Sequence, residues 1–114
     1  MVLAPIIAEE SWMAKLVALY KTPKDAAAFD RYYHATHVPI AKTVPGLRRY
    51  EISKGAVLGP EGASNVHLVA ILHFDSVDAI QAALGTPEGQ ATAADLSNFA
   101  DGGVDLFFID TKDV

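Results

Sequence analysis

The chain of 114 residues has no cysteine, few basic residues and no long apolar run. The lack of cysteine excludes disulfides and thiolate chemistry, and it leads us to expect a reducing compartment, the cytoplasm. The 9 Lys and Arg residues against 14 Asp and Glu give a net charge of −5, so no nucleic-acid partner is expected. No apolar stretch approaches the roughly 20 residues of a membrane-spanning helix, so no membrane partner is expected either. The first residues carry no positively charged leader, and no signal peptide is predicted.

Two signatures of common catalytic classes are also missing. No G-x-S-x-G pattern marks the nucleophile of a hydrolase. The glycine-rich stretch GAVLGPEGASN lies between two predicted strands, whereas a phosphate-binding loop joins a strand to a helix. Hydrolysis through a serine triad and phosphate chemistry are therefore disfavoured.

The residues that are present predict one α+β domain over residues 1–114, with its core at about residues 12–110. Apolar runs predict strands at Trp12–Tyr20, Leu47–Gly55, Val66–Phe74 and Val104–Asp110. The predicted helices start at Thr22–Pro23, at Asp75 or Ser76, and at Thr86–Pro87; the first breaks or kinks at Pro39, and the others end at Gly85 and near Ala100.

The order β-α-β-β-α-β is that of the ferredoxin-like fold, a four-stranded antiparallel sheet with helices on one face. The strand segments LVALY, LVAIL and LFFI are apolar on both sides, which is typical of strands covered on both faces. No further predicted helix is available for the second face. We therefore expect a second copy of the chain to cover it, in a two-fold homodimer.

The histidines are the candidate functional residues. On a helical wheel, Tyr33 and His37 share the face of Phe29, whereas His34 lies toward solvent. His37 precedes Pro39 near the predicted helix end, where the proline holds the corner and the helix dipole favours a protonated imidazole.

In the third strand, alternation places two histidines on the face that the second subunit would cover. This face carries His67, Val69, Ile71 and His73, and the helix side carries Leu68, Ala70, Leu72 and Phe74. Titratable groups in an otherwise apolar space are typical of a small-molecule pocket.

Several chemistries fit these histidines. Acid/base catalysis is favoured, with His37 moving the proton while Tyr33 and a strand histidine, His73 ahead of His67, orient a substrate oxygen. A metal site is disfavoured because His34 faces solvent and no acidic residue or cysteine stands at a ligand spacing. Haem ligation by His37 or His67 lacks clustered arginines to meet the propionates. A structural His37 that fastens the helix kink, or a protein that only binds its ligand, fits the same residues.

The stretch FDRYYHATHVPIAKTVPGLRRYEIS resembles the EthD family, whose first helix carries a phenylalanine, a tyrosine, and a histidine just before x-Pro. Phe29, Tyr32 or Tyr33, His37 and Pro39 match that pattern, and HFDSVDAIQAALGTPEGQA is similar to a later family segment. The resemblance spans about residues 12–110 and implies a dimeric α+β barrel. Related barrels include cofactor-free isomerases and cyclases, decarboxylases and haem-handling oxygenases, so no single substrate is implied.

We therefore predict a homodimer that binds a small apolar or aromatic organic ligand, without a metal or another cofactor. The predicted catalytic residues are His37, Tyr33 and His73. The predicted ligand-binding residues are Phe29, Pro39, His67, Val69 and Ile71. A cofactor-free isomerase, cyclase or decarboxylase is the favoured function, and a sequestering protein is the alternative.

Overall fold

A computed structural model describes residues 12–114. Residues 1–11, on which the signal-peptide prediction depends, lie outside the described residues. The strands are β1 (Ala14–Lys21), β2 (Arg49–Ile52), β3 (Leu58–Gly59), β4 (Gly62–Ala63), β5 (Val66–Phe74) and β6 (Val104–Asp110). The helices are α1 (Ala26–Tyr32), α2 (Val38–Ala41), α3 (Val77–Leu84) and α4 (Pro87–Asp95), with a π-helical turn at Tyr33–His37 and a 3₁₀ turn at Leu96–Asn98. Each helix in the described part of the chain is too short or too polar to cross a lipid bilayer.

The long strands form one antiparallel sheet in the order β2–β5–β1–β6. The predicted α+β, ferredoxin-like arrangement with a four-stranded antiparallel sheet is thereby confirmed. β3 and β4 form a separate hairpin in a stretch that the sequence predicts as a loop. These strands are too short for an alternating pattern to be visible in the sequence.

Regular alternation along the central strands places every second side chain in the core. The buried residues of the sheet are Ala14, Leu16, Ala18 and Tyr20 on β1, and Leu68, Ala70, Leu72 and Phe74 on β5. The helical layer covers them with Phe29, Tyr33, Ile80, Ala83 and Phe99. The face of β5 that was predicted to pack under the helices is the one that does so.

The opposite face of the sheet is apolar at its centre. Val17 pairs with Ile71 on one side and with Phe107 on the other, and Leu19 pairs with Val69. Phe107 is 50% exposed. We call this surface the outer face; its apolar members are Val17, Leu19, Val69, Ile71, Phe107 and Ile109. A contiguous apolar surface of this kind usually marks an interface.

The sequence predicts a kink or a restart of the first helix at Pro39, and the chain passes this residue in helical form. The chain remains helical through α2 and widens one turn earlier, where the Val38 N–H donates to the Tyr33 carbonyl. Pro39 has no N–H, and in an α-helix its ring would press on the carbonyl of Ala35. The wider turn accommodates the proline, so the helix absorbs it by a π-helical turn instead of a break.

The helix caps are partly as predicted. Thr86 caps α4 by accepting from the Gly89 N–H, and Ser76 caps α3 by accepting from the Ala79 N–H. The prediction of Thr22 as the first N-cap is wrong, because the Asp25 side chain accepts from the Ala28 N–H instead. Asp is as good a cap as Thr, and here the chain becomes helical later than Pro23 suggests.

Two predicted boundaries also differ from the structure. β2 is shorter than the predicted Leu47–Gly55, and α4 ends at Asp95 before the 3₁₀ turn that was predicted as part of the helix. Strand and helix ends depend on tertiary partners, which a local pattern does not contain.

Gly89 holds α4 close to α3. A Cβ at this buried position would lie 2.1 Å from the Ala83 carbonyl oxygen and 2.7 Å from the Leu84 Cα. Both obstructing atoms belong to the backbone, so neither moves out of the way without shifting the helix. The glycine therefore fixes the position of α4, and with it the position of Asp95 at the end of that helix.

We expect Gly89→Ala to lower the free energy of unfolding by about 1–3 kcal/mol, because the new methyl group forces α4 away from α3. Urea unfolding followed by circular dichroism measures this change. Gly59→Ala is the matched control, since its Cβ would meet only the Gly62 carbonyl oxygen at 3.9 Å. Equal stability of the two variants would contradict the close helix contact.

Candidate active site

His37 and Asp95 form a buried polar pair in the helical layer. His37 ends the π-helical turn and is 3% exposed, and Asp95 ends α4 and is 6% exposed. His37 Nδ1 lies 2.8 Å from Asp95 Oδ2. Buried polar groups persist when they are hydrogen-bonded to each other, and this pair meets that requirement.

Two further donors hold the Asp95 carboxylate. The Tyr32 hydroxyl donates to Oδ1 at 2.6 Å, and the Asn98 side-chain amide donates to the same oxygen at 3.0 Å. Burial alone would raise the pKa of Asp95, but the hydrogen bonds from Tyr32, Asn98 and His37 outweigh burial and lower it. Asp95 is therefore ionised at neutral pH.

His37 is neutral at neutral pH for a related reason. Burial lowers its pKa below the ordinary value of 6.5, and the hydrogen bond and charge of Asp95 only partly oppose this effect. With Asp95 ionised, the single imidazole proton resides on Nδ1 and points at the carboxylate. Nε2 therefore keeps its lone pair and is available as a base. The helix-dipole expectation of a protonated His37 is wrong, because the helix continues to Ala41 and burial dominates.

His37 lines a cavity of about 130 Å³ between the helices and the sheet. Its wall consists mainly of apolar side chains, together with His37, Tyr20, Tyr50 and Thr92. The complete lining is Leu16, Ala18, Tyr20, His37, Tyr50, Ala70, Leu72, Leu84, Thr92, Ala93, Leu96 and Leu106. Because Nδ1 is bound to Asp95, Nε2 is the ring nitrogen left to face this cavity. The arrangement presents one basic nitrogen to an apolar space.

A group of three tyrosines lies beside His37. The hydroxyl groups of Tyr33 and Tyr50 are 2.5 Å apart, and the Tyr33 ring lies 5.3 Å from the His37 ring. Tyr33 is fully buried, whereas Tyr20 and Tyr50 reach the cavity. Burial is the main cause that raises the pKa of Tyr20, Tyr33 and Tyr50. The three hydroxyl groups therefore keep their protons and serve as hydrogen-bond donors.

The predicted pairing of His37 with Tyr33 agrees with the structure in part. The two rings are neighbours, but Tyr33 does not line the cavity. Its hydroxyl group contacts that of Tyr50, which does line the cavity. Phe29 stacks on Tyr33 with 5.8 Å between centroids and belongs to the core. Pro39 is exposed and does not line the cavity. His34 is exposed, as the helical wheel predicts.

The strand histidines do not join His37, contrary to the predicted grouping. His73 lies on the outer face with Val69 and Ile71, across the sheet from the cavity, and its Nε2 lies 2.6 Å from Glu51 Oε1. The prediction placed the pocket between the first helix and the sheet, open toward the second subunit, where strand histidines could reach it. The cavity that His37 lines does lie between the helices and the sheet, but its lining does not include His73 or His67. Val69, Ile71 and His73 are therefore separated from His37 by the sheet.

His67 points in a third direction. The pairing of β1 with β5 shifts after Tyr20, which leaves His67 outside the regular ladder. Its Nε2 lies 2.8 Å from Asp30 Oδ1 and its ring lies 5.0 Å from the Phe29 ring, so it faces α1 instead of the outer face. A strand irregularity of this kind redirects a side chain, and simple alternation does not foresee it.

Two site residues were missed by the sequence reasoning. Tyr50 occupies a polar strand that resembles an edge, and only its pairing with Leu72 places it on the helix side. Asp95 stands 58 residues after His37 in an alanine-rich helix, with no local pattern to mark it. Within residues 12–114, no three side chains of His, Cys, Asp or Glu are grouped to hold a metal ion.

Comparisons with known proteins identify a family for this chain. The family model described as the EthD domain matches residues 21–103. The uncharacterized 11.0 kDa protein of the thcB–thcC intergenic region of Rhodococcus erythropolis is 37% identical over 102 residues, covering 90% of this chain and 98% of that protein. The crystal structure of an EthD family protein from Bacillus halodurans has a TM-score of 0.80 and 35% identity, covering 88% of this chain and 99% of the other.

More distant structures share the fold alone. A cofactor-independent oxygenase from Streptomyces nogalater, SnoaB, has a TM-score of 0.62 at 17% identity, covering 89% of this chain and 94% of its own. A dimeric ferredoxin-like protein of unknown function from Thermobifida fusca has a TM-score of 0.63 at 15% identity, covering 86% and 90%.

The protonation state of His37 gives a direct test of the site. We expect the imidazole of His37 to titrate below pH 6.5 in an NMR pH titration, because burial opposes the charged form. In Asp95→Asn the pKa of His37 should fall further, since the carboxylate charge that favours the imidazolium is gone. A His37 pKa above 6.5 in the wild-type protein, or a rise in the variant, would contradict the assigned states.

Proposed function

The chain belongs to the EthD family, and from its site we propose that it binds a small, mostly apolar organic molecule and transfers a proton on it without a cofactor. The observation that carries this proposal is the buried pair of His37 and Asp95 beside an apolar cavity: Asp95 holds Nδ1 of His37, and His37 lines the cavity. An imidazole whose pKa lies below its ordinary value because of burial, held in one tautomer and shielded from bulk water, is suited to proton transfer.

The proton transfer requires three groups. Nε2 of His37 takes a proton from a carbon next to a carbonyl group. The electron pair of the broken C–H bond forms the C=C bond of the enolate, and the π pair of the carbonyl moves to its oxygen. Asp95 stays ionised and stabilises the imidazolium that forms. Tyr50 donates a hydrogen bond to the enolate oxygen. His37 then returns the proton to the same carbon or to another one, which completes an exchange or an isomerisation.

Tyr33 supports this scheme as a positioning residue. If the Tyr33 hydroxyl donates to the Tyr50 oxygen, the Tyr50 proton is free to point at the substrate. The raised pKa of Tyr33, caused mainly by burial, keeps its proton in place for this role. We therefore assign to Tyr50 the catalytic role that was predicted for Tyr33, and to Tyr33 the role of positioning Tyr50.

A reaction without a cofactor has support from the wider fold. The neighbour SnoaB is a cofactor-independent oxygenase, so a protein of this fold catalyses a reaction without a cofactor. Isomerisation and cyclisation of a carbonyl compound use a base and a stabilised oxygen anion, which His37 and Tyr50 would provide. Decarboxylation uses the stabilised oxygen anion and a proton donor. A protein that sequesters the same ligand without turnover is the alternative, and the following experiment distinguishes the two.

We expect the wild-type protein to speed the exchange of the methyl protons of acetophenone and the ring α-protons of cyclohexanone in D₂O, measured by ¹H NMR. In His37→Asn the acceleration should fall by about 10²–10⁴, because asparagine does not transfer the proton. The matched control is His34→Asn, which removes an exposed histidine from the same helical segment and should leave the rate unchanged.

The result also separates catalysis from binding. If the wild-type protein binds these ketones, as seen by NMR shifts, but leaves the exchange rate at that of buffer, it is a binding protein. Exchange at the wild-type rate in His37→Asn would assign the histidine a structural role.

We further propose that the outer face forms the contact of a homodimer, giving the dimeric α+β barrel of the family. Val17 stands at its centre, between Ile71 and Phe107, and an apolar surface of this kind is stabilised by burial against a second copy. The ferredoxin-like neighbour from Thermobifida fusca is dimeric, which supports a homodimer for this chain.

Sedimentation equilibrium should give the mass of a dimer at micromolar concentration. Val17→Asp places a charge at the centre of the contact and should shift the protein to monomer, whereas Ala63→Asp in the β3–β4 hairpin should leave the mass unchanged. A folded wild-type monomer at micromolar concentration would reject the proposed dimer.

A further inference from the structure

Two alanines on neighbouring central strands lie under the cavity. Ala18 of β1 pairs with Ala70 of β5, and both line the cavity. This row of paired residues continues to Ile52 on β2 and to Leu106 on β6. Side chains of directly opposed residues point to the same face about 5 Å apart, so the two alanines together form a shallow floor.

The neighbouring rows are bulkier. On one side, Leu16 pairs with Leu72 and with Phe108. On the other side, Tyr20 pairs with Leu68. Leu16, Leu72 and Tyr20 line the cavity as walls around the alanine floor. The recess therefore results from two alanines set between rows of large side chains.

The volume of the recess corresponds to one ring. An apolar cavity of about 150 Å³ in another protein binds benzene. The present cavity measures about 130 Å³. A single six-membered ring therefore fits on the floor, whereas a second fused ring would have to extend through the mouth. The exposed members of the wall are Ala93 on α4 and Leu106 on β6, which locates the mouth between these two elements.

The polar groups fix the orientation of such a ring. His37 enters the cavity from the helical layer and Tyr50 from β2. The Thr92 hydroxyl donates to the Glu88 carbonyl of its own helix, so its proton is not directed at a ligand. A ring with one oxygen substituent matches both the apolar floor and the polar groups. Its carbon atoms contact the alanines, and its oxygen faces Tyr50.

We infer that the substrate is a compound with a single six-membered ring and one oxygen substituent, and that Ala18 and Ala70 set this size limit. The inference rests on the proposed function and specifies its substrate class. It assigns to the alanines a role in specificity, because a larger side chain at either position occupies the space of the ring.

The test compares phenol with 2-naphthol, which differ by one fused ring. Dissociation constants are measured from NMR shifts of the Leu84 and Leu106 methyl groups, which line the cavity. In the wild-type protein we expect phenol to bind at least tenfold more tightly than 2-naphthol. Ala70→Val should weaken phenol binding at least tenfold, because its two added methyl groups fill the floor. The control Ala63→Val makes the same change in the β3–β4 hairpin and should leave binding unchanged.

If Ala70→Val does not fold, Ala18→Val tests the same floor. The comparison of phenol with 2-naphthol in the wild-type protein tests the size limit without either variant. Equal or tighter binding of 2-naphthol would overturn the inference, as would phenol binding that is unaffected by a folded floor variant, or the absence of any methyl shift with phenol. If one of these binding results is found while the His37-dependent exchange of the ketone protons still occurs, the size limit is rejected and the proposed function stands.

Discussion

The hydrogen bond between His37 and Asp95 is the contact on which the rest of the site depends. It joins two helical segments that are 58 residues apart in the chain, and it does so between two buried polar groups. Loss of Asp95 would leave Nδ1 of the buried His37 without this partner, and loss of His37 would remove one of the three donors that hold the Asp95 carboxylate. Either change is costly in a buried site. The same bond selects the imidazole tautomer and leaves Nε2 facing the cavity. Stability and chemistry are therefore coupled through one interaction.

The cavity itself opposes folding. Its apolar wall lacks the close contacts that a filled core would provide. The aromatic group around it offsets this cost in part. Tyr20, Phe29, Tyr33 and Phe99 lie with ring centroids 5.2–5.8 Å apart, and such contacts stabilise by about 0.5–1.5 kcal/mol each. A ligand that fills the void would add stability directly.

The fold could be predicted from the sequence because the apolar runs of β1, β5 and β6 and the caps at Ser76 and Thr86 are local signals. The site could be predicted only in part. His37 and its neighbour Tyr33 share one helical face, which a wheel reveals. Asp95 reaches His37 only through the packing of α4, and Tyr50 reaches the cavity only through the register of β2, so neither has a local signal. The direction of His67 depends on a shift in strand pairing that period-two reasoning does not contain.

The π-helical turn at Tyr33–His37 makes the length of the first helical segment as important as its composition. Phe29 is anchored in the core at one side of this turn, and His37 is anchored on Asp95 at the other. Deletion of one residue from this turn would return the segment to α-helical geometry with little rotation of the two anchors about the helix axis. The ring of Pro39 would then press on the carbonyl four residues before it. Among relatives, a gap of one residue in this segment should therefore occur together with loss of the proline.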